Sequence, residues 1–439
     1  MAAPGQNQGP VTELVIASLW REPTEYIGRW KKLSRLAGQL FTAKCYDSKN
    51  AVQRIYLDHN ATTPLLPAVI DRMTAVLREE FGNPSSVHHF GQQAKAAVDD
   101  ARSQVADLVG ADPSEVLFTS GGTEGDNIAI RGAAEALEGT RRKHLVASAI
   151  EHEAVLNTLK ALARRGWRTT LLPVDQSGIV SPAALREALA EDTALVSVMH
   201  ANNEIGTIQP VFELARLAHE RGALFHTDAV QSAGKIPVNV KELGVDMLSL
   251  SAHKFYGPKG VGALWIRRGL RVLPLMTGGR QERSRRAGTE NVPGIVGMGV
   301  AAAIAAGKME NEGRRLAALR DRLETGILRA VPGTAVNGSP DHRVPNTTNI
   351  SFDRVEAESL LIALDLEGVA VSTGSACSSG TLEPSHVLKA MGFNAHRTQN
   401  SIRFSLGGGN TETEIDRLIA VLPGIVEKLR SLTRAPARA

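Results

Sequence analysis

From Ile55 to about residue 293, the hydrophobic and polar positions switch repeatedly between two periods. Apolar residues recur at helical spacing over about 69–78, 92–109, 124–137, 153–163, 182–190 and 211–221. Between these stand short apolar runs that read as buried strands, at 116–119, 144–148, 195–199, 223–227, 246–250 and 261–266. Strand–helix alternation predicts an α/β chain with a large, mostly parallel sheet covered on both faces. Past about residue 294 the texture changes. Longer helical periods at 295–307, 312–330 and 412–430 mix with strands near 347–352, 369–373 and 401–406, the pattern of a smaller α+β domain. The expected division is a large domain over 71–293 and a small one from 54–70 and 294–439. No internal repeat is visible.

Residues 1–53 are patterned differently. The first ten are rich in Gly, Pro, Gln and Asn, a composition that predicts disorder. Then Tyr26, Ile27, Trp30, Leu33, Leu36, Leu40 and Phe41 recur at helical spacing, with Lys31, Lys32 and Arg35 between them. An amphipathic helix so built can dock on the body, a partner or a membrane surface. Glu13, Glu22 and Glu25 break the acid-poor pattern of an organellar targeting peptide.

Composition narrows the classes further. The 439 residues are 43% hydrophobic and 22% charged, as in an ordinary globular protein. Of the net charge of +4, the first 53 residues supply three, with seven Lys/Arg against four Asp/Glu. The remainder is nearly neutral, which argues against a nucleic-acid groove. No apolar run reads as a bilayer span, so no integral membrane segment is expected. Two cysteines, Cys45 and Cys377, exclude a disulfide framework or a Cys-rich zinc module. That count suits a reducing compartment, and a cytoplasmic location is expected.

The chemistry gathers where strands stop. Leu248–Leu250 leads into Ser251, Ala252, His253 and Lys254, and Leu224–Thr227 ends in Asp228. A lysine at a sheet mouth is poorly solvated, so its amine is a nucleophile; the competing reading is a salt bridge at a strand end. A Schiff-base lysine with an aspartate for a pyridinium nitrogen is what pyridoxal phosphate requires. Ser120-Gly121-Gly122-Thr123-Glu124 turns a strand into a helix. The turn is either an anion cradle or a plain connection capped by Thr123. His152 begins a helix, where a lone histidine is commonly structural. Asn203 follows another strand, Gln231 stands three residues past Asp228, and both can donate to a phenolate oxygen. Ligands in open α/β sheets bind beyond such carboxyl ends, so the convergence favours the cofactor. Gly278–Asn291 holds four arginines in seven residues, and reads either as a solvated loop or as a phosphate closure through Thr289. Cys377 lies among small residues, Ser375 to Gly380, that leave a thiol exposed, although a small hydrophobe in a tight turn fits too. Arg403 alternates with apolar residues on a strand and is either an ion-pair anchor or a fork for a carboxylate.

Across 55–429 the chain resembles the class V aminotransferase-like pyridoxal phosphate enzymes, and among them cysteine desulfurases of the NifS/IscS type. The likeness is carried by Tyr56–Thr63, Ser120–Glu124, Asn202–Gly206, His226–Gln231, Ser251–Lys254, Arg286–Asn291 and Gly374–Cys377. The resemblance implies the type I fold of pyridoxal phosphate-dependent transferases. It also implies that L-cysteine is converted to L-alanine while its sulfur passes to an enzyme persulfide. By that resemblance Lys254 carries the cofactor, Asp228 pairs with its ring nitrogen and His152 stacks on the ring as a proton shuttle. Asn203 and Gln231 contact the ring oxygen. Gly122, Thr123, Ser251 and His253 hold the phosphate, with Thr289 supplied by the other subunit of a homodimer. Arg403, with Asn203, binds the substrate carboxylate, and Cys377 accepts the sulfur. The implied partner is a sulfur-acceptor or iron–sulfur scaffold protein, and no metal is expected beyond a transient contact of Cys377 with an iron–sulfur cluster. Selenocysteine lyase and class V aminotransferase are the rival activities. The chain departs from the pattern at Gly125, Arg280, Arg285 and Leu406–Asn410. The glycines of the last stretch are expected to loosen the loop after Arg403.

Overall fold

In the strands His144–Ser148, Thr193–Ser197, Met247–Ser251 and Gly262–Ile266 every residue is buried, as expected for strands covered on both faces. The computed structural model describes residues 54–374 and 384–434. Cys45 and the amphipathic stretch of the first 53 residues therefore lie outside the described residues.

Seven strands form the main sheet, in the order Val116–Thr119, Gly262–Ile266, Met247–Ser251, Leu224–Asp228, Thr193–Ser197, His144–Ser148 and Arg168–Leu172. All neighbours pair in parallel except Gly262–Ile266, which is antiparallel to both strands beside it. Consecutive side chains serve opposite faces. Leu248 and Leu250 join a cluster with Val98 and Val105 of the helix His89–Leu108 and Leu214 of the helix Val211–Glu220. Met247 joins Ile128 and Ala133 of the helix Gly122–Ala136 and Val155 of the helix Glu153–Ala163.

A second sheet of three antiparallel strands, Ser401–Ser405, Thr347–Phe352 and Thr334–Asn337, backs another apolar cluster. Phe352, Phe404, Ile415, Leu418 and Leu422 meet there with Ile55 and Leu57 from the start of the described chain. Ile55–Tyr56 pairs in parallel with Val369–Ala370.

One helix of 39 residues, Val292–Ala330, links the two clusters. Its first turns place Ile295, Val296 and Met298 against the large sheet's cluster, and later turns place Leu316, Leu323 and Ile327 in the other. The sequence suggests two helices, 295–307 and 312–330. The intervening Lys308-Met309-Glu310-Asn311 contains no breaker, so the helix continues. By length and composition this is the one described helix able to cross a membrane, but half of its most apolar window is buried inside the protein. Its apolar turns pack on other elements, which makes it a core helix.

Besides the two-residue Ile55–Tyr56, two longer strands escape the sequence pattern. Arg168–Leu172 lies at the sheet edge and is mostly polar, with only Leu172 fully covered, so it presents no apolar run. Thr334–Asn337 is likewise a half-covered edge. Gly125 has a packing reason: a Cβ there would come 3.0 Å from Ser249 Oγ, leaving little room for a larger residue.

Candidate active site

Asp228 and Ser249 are paired in register on adjacent parallel strands, so both strands deliver their polar ends to one edge of the sheet. Beyond Ser251 a single 3₁₀ turn, Ala252–Lys254, brings Lys254 over that edge. Its Nζ donates to the carbonyls of Asn60 at 2.6 Å and Ala61 at 2.8 Å. The segment 58–63 lies across the strand ends and is tied to both sheets. Thr63 N–H donates to the His253 carbonyl at 2.9 Å, and Asn60 N–H donates to Ser405 Oγ at 3.0 Å.

Asp228 is buried, and its Oδ1 accepts the Val230 N–H at 2.8 Å. Burial pushes its carboxyl up, while the charges of His152 and Lys254 and the Val230 hydrogen bond oppose the rise. Two further acids lie deeper. Asp126 is raised well above the carboxylate range by burial and by the charge of Asp228. Burial likewise lifts Glu151 to about 8. Of the three, Asp228 is the one that faces the charges of His152 and Lys254, which favour its ionised form.

His152 caps the helix Glu153–Ala163. Its Nδ1 accepts the Ala154 N–H at 3.1 Å, so in the neutral ring the proton sits on Nε2. Burial lowers the pKa of this ring. His253 is held neutral in the same way, lowered to about 4 by burial and by Lys254, and its Nδ1 lies 3.2 Å from Thr62 Oγ1.

The helix Gly122–Ala136 starts without a side-chain cap, which leaves its first N–H groups for an anion. Gly121 has φ 156°, and a Cβ on Gly122 would come 2.6 Å from Val230 Cγ2, so this turn admits only glycine. Ser251 faces the same turn, its Oγ 3.8 Å from where a Gly121 Cβ would stand. Glycine cradle, uncapped helix, buried carboxylate and lysine form a donor set that fits pyridoxal phosphate. Thr289 is exposed and lines a cavity of about 160 Å³ with Ser120, Arg286 and Ile295. Of the four arginines before it, Arg286 pairs with Glu124 at 2.9 Å and Arg283 donates to the Ser114 carbonyl.

Arg403 sits in the middle of its strand, 3% exposed. Its Nη2 pairs with Asp58 Oδ1 at 2.6 Å and its Nη1 donates to the Asn203 carbonyl at 2.9 Å. No described residue accepts from its buried Nε. Of the two readings left open by the sequence, the ion-pair anchor is present. Asn203 makes these contacts through its carbonyl, which also accepts from Asn60 Nδ2 at 3.2 Å. Gln231 is engaged at both ends of its amide, donating to the Asn60 carbonyl at 3.0 Å and accepting from Lys235 Nζ at 2.8 Å. Cys377 lies outside the described residues.

Sequence reasoning missed Lys235 and Asn60. The Lys235 amine also donates to Asn60 Oδ1 at 2.9 Å, and burial holds its ammonium well below the usual lysine range. A lysine four residues after Gln231, on the same turn, was the available signal. The expected loosening after Arg403 does not occur. Gly407 N–H donates to Asn410 Oδ1 at 2.8 Å and Gly408 N–H to the Tyr256 hydroxyl at 2.7 Å. Arg315 donates to the Asn410 carbonyl at 2.7 Å and the Gly408 carbonyl at 3.1 Å. Glycine is required here because a Cβ on Gly407 would come 2.2 Å from the His59 ring.

Residues 55–418 match the family model described as aminotransferase class-V. A cysteine desulfurase IscS of Dictyoglomus turgidum is 52% identical over 381 residues, 87% of this chain and 96% of that protein. A solved NifS-like protein superposes with a TM-score of 0.81 at 40% identity, covering 86% of this chain and all of its own. A solved structure described as SspA in complex with cysteine gives a TM-score of 0.72 at 36% identity, over 80% and 98% of the two chains.

Proposed function

The chain belongs to the aminotransferase class-V family, and on that premise we propose that it is a pyridoxal phosphate-dependent cysteine desulfurase. It converts L-cysteine to L-alanine and leaves the sulfur as an enzyme persulfide. One observation carries this reading: Lys254, Asp228 and an uncapped glycine turn converge at one end of the large sheet. When bound, the cofactor supplies an electron sink that makes the α-hydrogen of an amino acid acidic.

The residues divide the work. Lys254 would hold the cofactor, and its Nζ would take the Cα proton of the substrate. Its contacts with the Asn60 and Ala61 carbonyls support this by aiming the amine across the strand ends. Asp228 would pair with the cofactor's ring nitrogen, a role favoured by a buried carboxylate in need of a cation. His152 carries its proton on Nε2 and shuttles it near the ring. Gly122, Thr123, Ser251 and His253 would hold the phosphate, with the partner subunit's Thr289 completing the set in a homodimer. Asn203 and the second N–H of Gln231 Nε2 would attend the ring oxygen. Arg403 receives the substrate carboxylate, pre-aimed by Asp58 and the Asn203 carbonyl. The Cys377 thiolate then attacks the substrate sulfur. A sulfur–sulfur bond forms, the carbon–sulfur bond breaks, and the carbon fragment takes up protons to become alanine. The persulfide passes to an acceptor such as an iron–sulfur scaffold protein.

The test is L-cysteine turnover by the cofactor-loaded protein, with mass-spectrometric detection of persulfide at Cys377. In a single turnover, alanine and persulfide in equal amounts are expected. Cys377→Ser should retain the cofactor's absorbance and lose the persulfide. Unchanged alanine formation in that variant would remove the thiol from the reaction.

A further inference from the structure

The Asn202–Gly206 turn does more than support Arg403. Among the described residues, the side chain of Glu204 touches both sides of the segment 375–383, in which Cys377 lies. On the near side it lies against Gly374, where a Cβ would come 3.1 Å from both Glu204 Cγ and Oε2. Gly374 has φ 88°, a conformation that also favours glycine. On the far side Glu204 Oε2 accepts the Ser385 hydroxyl at 2.6 Å, and Ser385 Oγ in turn accepts the Leu388 N–H at 3.1 Å.

The carboxyl is 2% exposed, and no ion pair to it is present among the described residues. Burying an acid without an ion pair is costly, so its position needs a reason beyond packing. The turn that presents it is rigidly held. Asn202 Oδ1 accepts the N–H groups of Glu204 at 2.8 Å and Ile205 at 3.1 Å, and Asn349 Nδ2 donates to the Glu204 carbonyl at 3.2 Å. The adjacent carbonyl, that of Asn203, holds Arg403. One turn therefore touches the guanidinium assigned to the substrate carboxylate and both flanks of the thiol-bearing segment.

We propose that Glu204 is a positioning residue for sulfur transfer, setting the flanks Gly374 and Ser385 of the Cys377 segment in register with Arg403. The inference rests on Cys377 being the sulfur acceptor. It separates two half-reactions: Cα deprotonation needs Lys254 and Arg403, whereas persulfide formation also needs the flanks in place.

The test uses the full-length holoenzyme in D₂O and follows two readouts, exchange of the cysteine Cα hydrogen and persulfide at Cys377. Glu204→Ala should keep the cofactor absorbance and Cα exchange within about twofold, and slow persulfide formation at least tenfold. Glu204→Gln, which can still accept from Ser385, should recover most of that rate. Ser385→Ala removes the same hydrogen bond from the other side and should slow persulfide formation without slowing exchange, so the idea stays testable if Glu204→Ala does not fold. An unchanged persulfide rate in both Ser385→Ala and Glu204→Gln/Ser385→Ala, or equal loss of exchange and persulfide in them, would overturn the proposal. A parent enzyme that releases alanine with no persulfide at Cys377 overturns the acceptor assignment itself, and this inference with it.

Discussion

The two sheets bring their candidate site groups to one segment, 58–63, by different means. On the large sheet each group sits where an element begins or ends: Asp228 closes a strand, Lys254 a 3₁₀ turn, and His152 and Gly122 open helices. Parallel strands necessarily deliver those ends to the same edge, so local structure alone gathers the set. On the three-stranded side Arg403 stands in mid-strand and is aimed by groups far away in sequence, Asp58 and the Asn203 carbonyl. The first arrangement tolerates changes away from the strand ends. The second depends on long-range contacts that a remote substitution can undo.

The sharpest way to test that contrast is to remove one anchor from each side. Lys254→Ala should bring turnover below detection and abolish covalent cofactor absorbance, while thermal unfolding stays cooperative. Arg403→Lys should leave the absorbance intact and raise KM for L-cysteine by about 10- to 100-fold, as expected for losing a charge-assisted fork worth about 1.5–3 kcal/mol. If Arg403→Lys also removed the cofactor, the two sides would not be separable.

Stability probes come next in size. Gly407→Ala drives a methyl into the His59 ring and should cost about 1–3 kcal/mol in urea unfolding. Combining it with His59→Ala should recover part of that loss. Lys235→Met leaves Asn60 Oδ1 and Gln231 Oε1 without the donor they share, at a cost of about 1–3 kcal/mol. Because Asn60 also contacts Lys254, kcat should fall with it.

The smallest effect is on pH dependence. Burial holds His226 down at about 3 and His59, His144 and His200 at about 4, below the usual 6.5. Between pH 6.5 and about 4 the unfolded chain therefore takes up protons that the folded chain refuses, and stability falls as pH falls through that window. Glu151, raised to about 8, acts in the opposite sense, losing stability as pH rises from 4.5 to 8. A melting series from pH 6.5 to 4 should show a shallower decline for His226→Asn than for the parent.

Legibility followed the same divide. Lys254, Asp228, His152 and the Gly121–Gly122 turn could be found because an apolar period breaks at a polar group, a feature contained within a few residues. Lys235, Asn60 and Glu204 were not found, since each acts through a partner that is 145 or more residues away or through a backbone carbonyl. Asn60 meets Lys254 over 194 positions, and Glu204 meets Ser385 over 181. The edge strand Arg168–Leu172 was missed for a related reason: edge strands need no apolar run.

Periodicity and strand-end chemistry determined the α/β class, the parallel sheet and the lysine–aspartate pair, because those depend on short-range order and on where burial stops. Only the tertiary structure decided how Arg403 is aimed, why glycine must stand at 407 and what touches the flanks of the Cys377 segment. Those outcomes are set by close approaches between distant segments, and no local pattern of residues records which backbone carbonyl or ring will lie opposite.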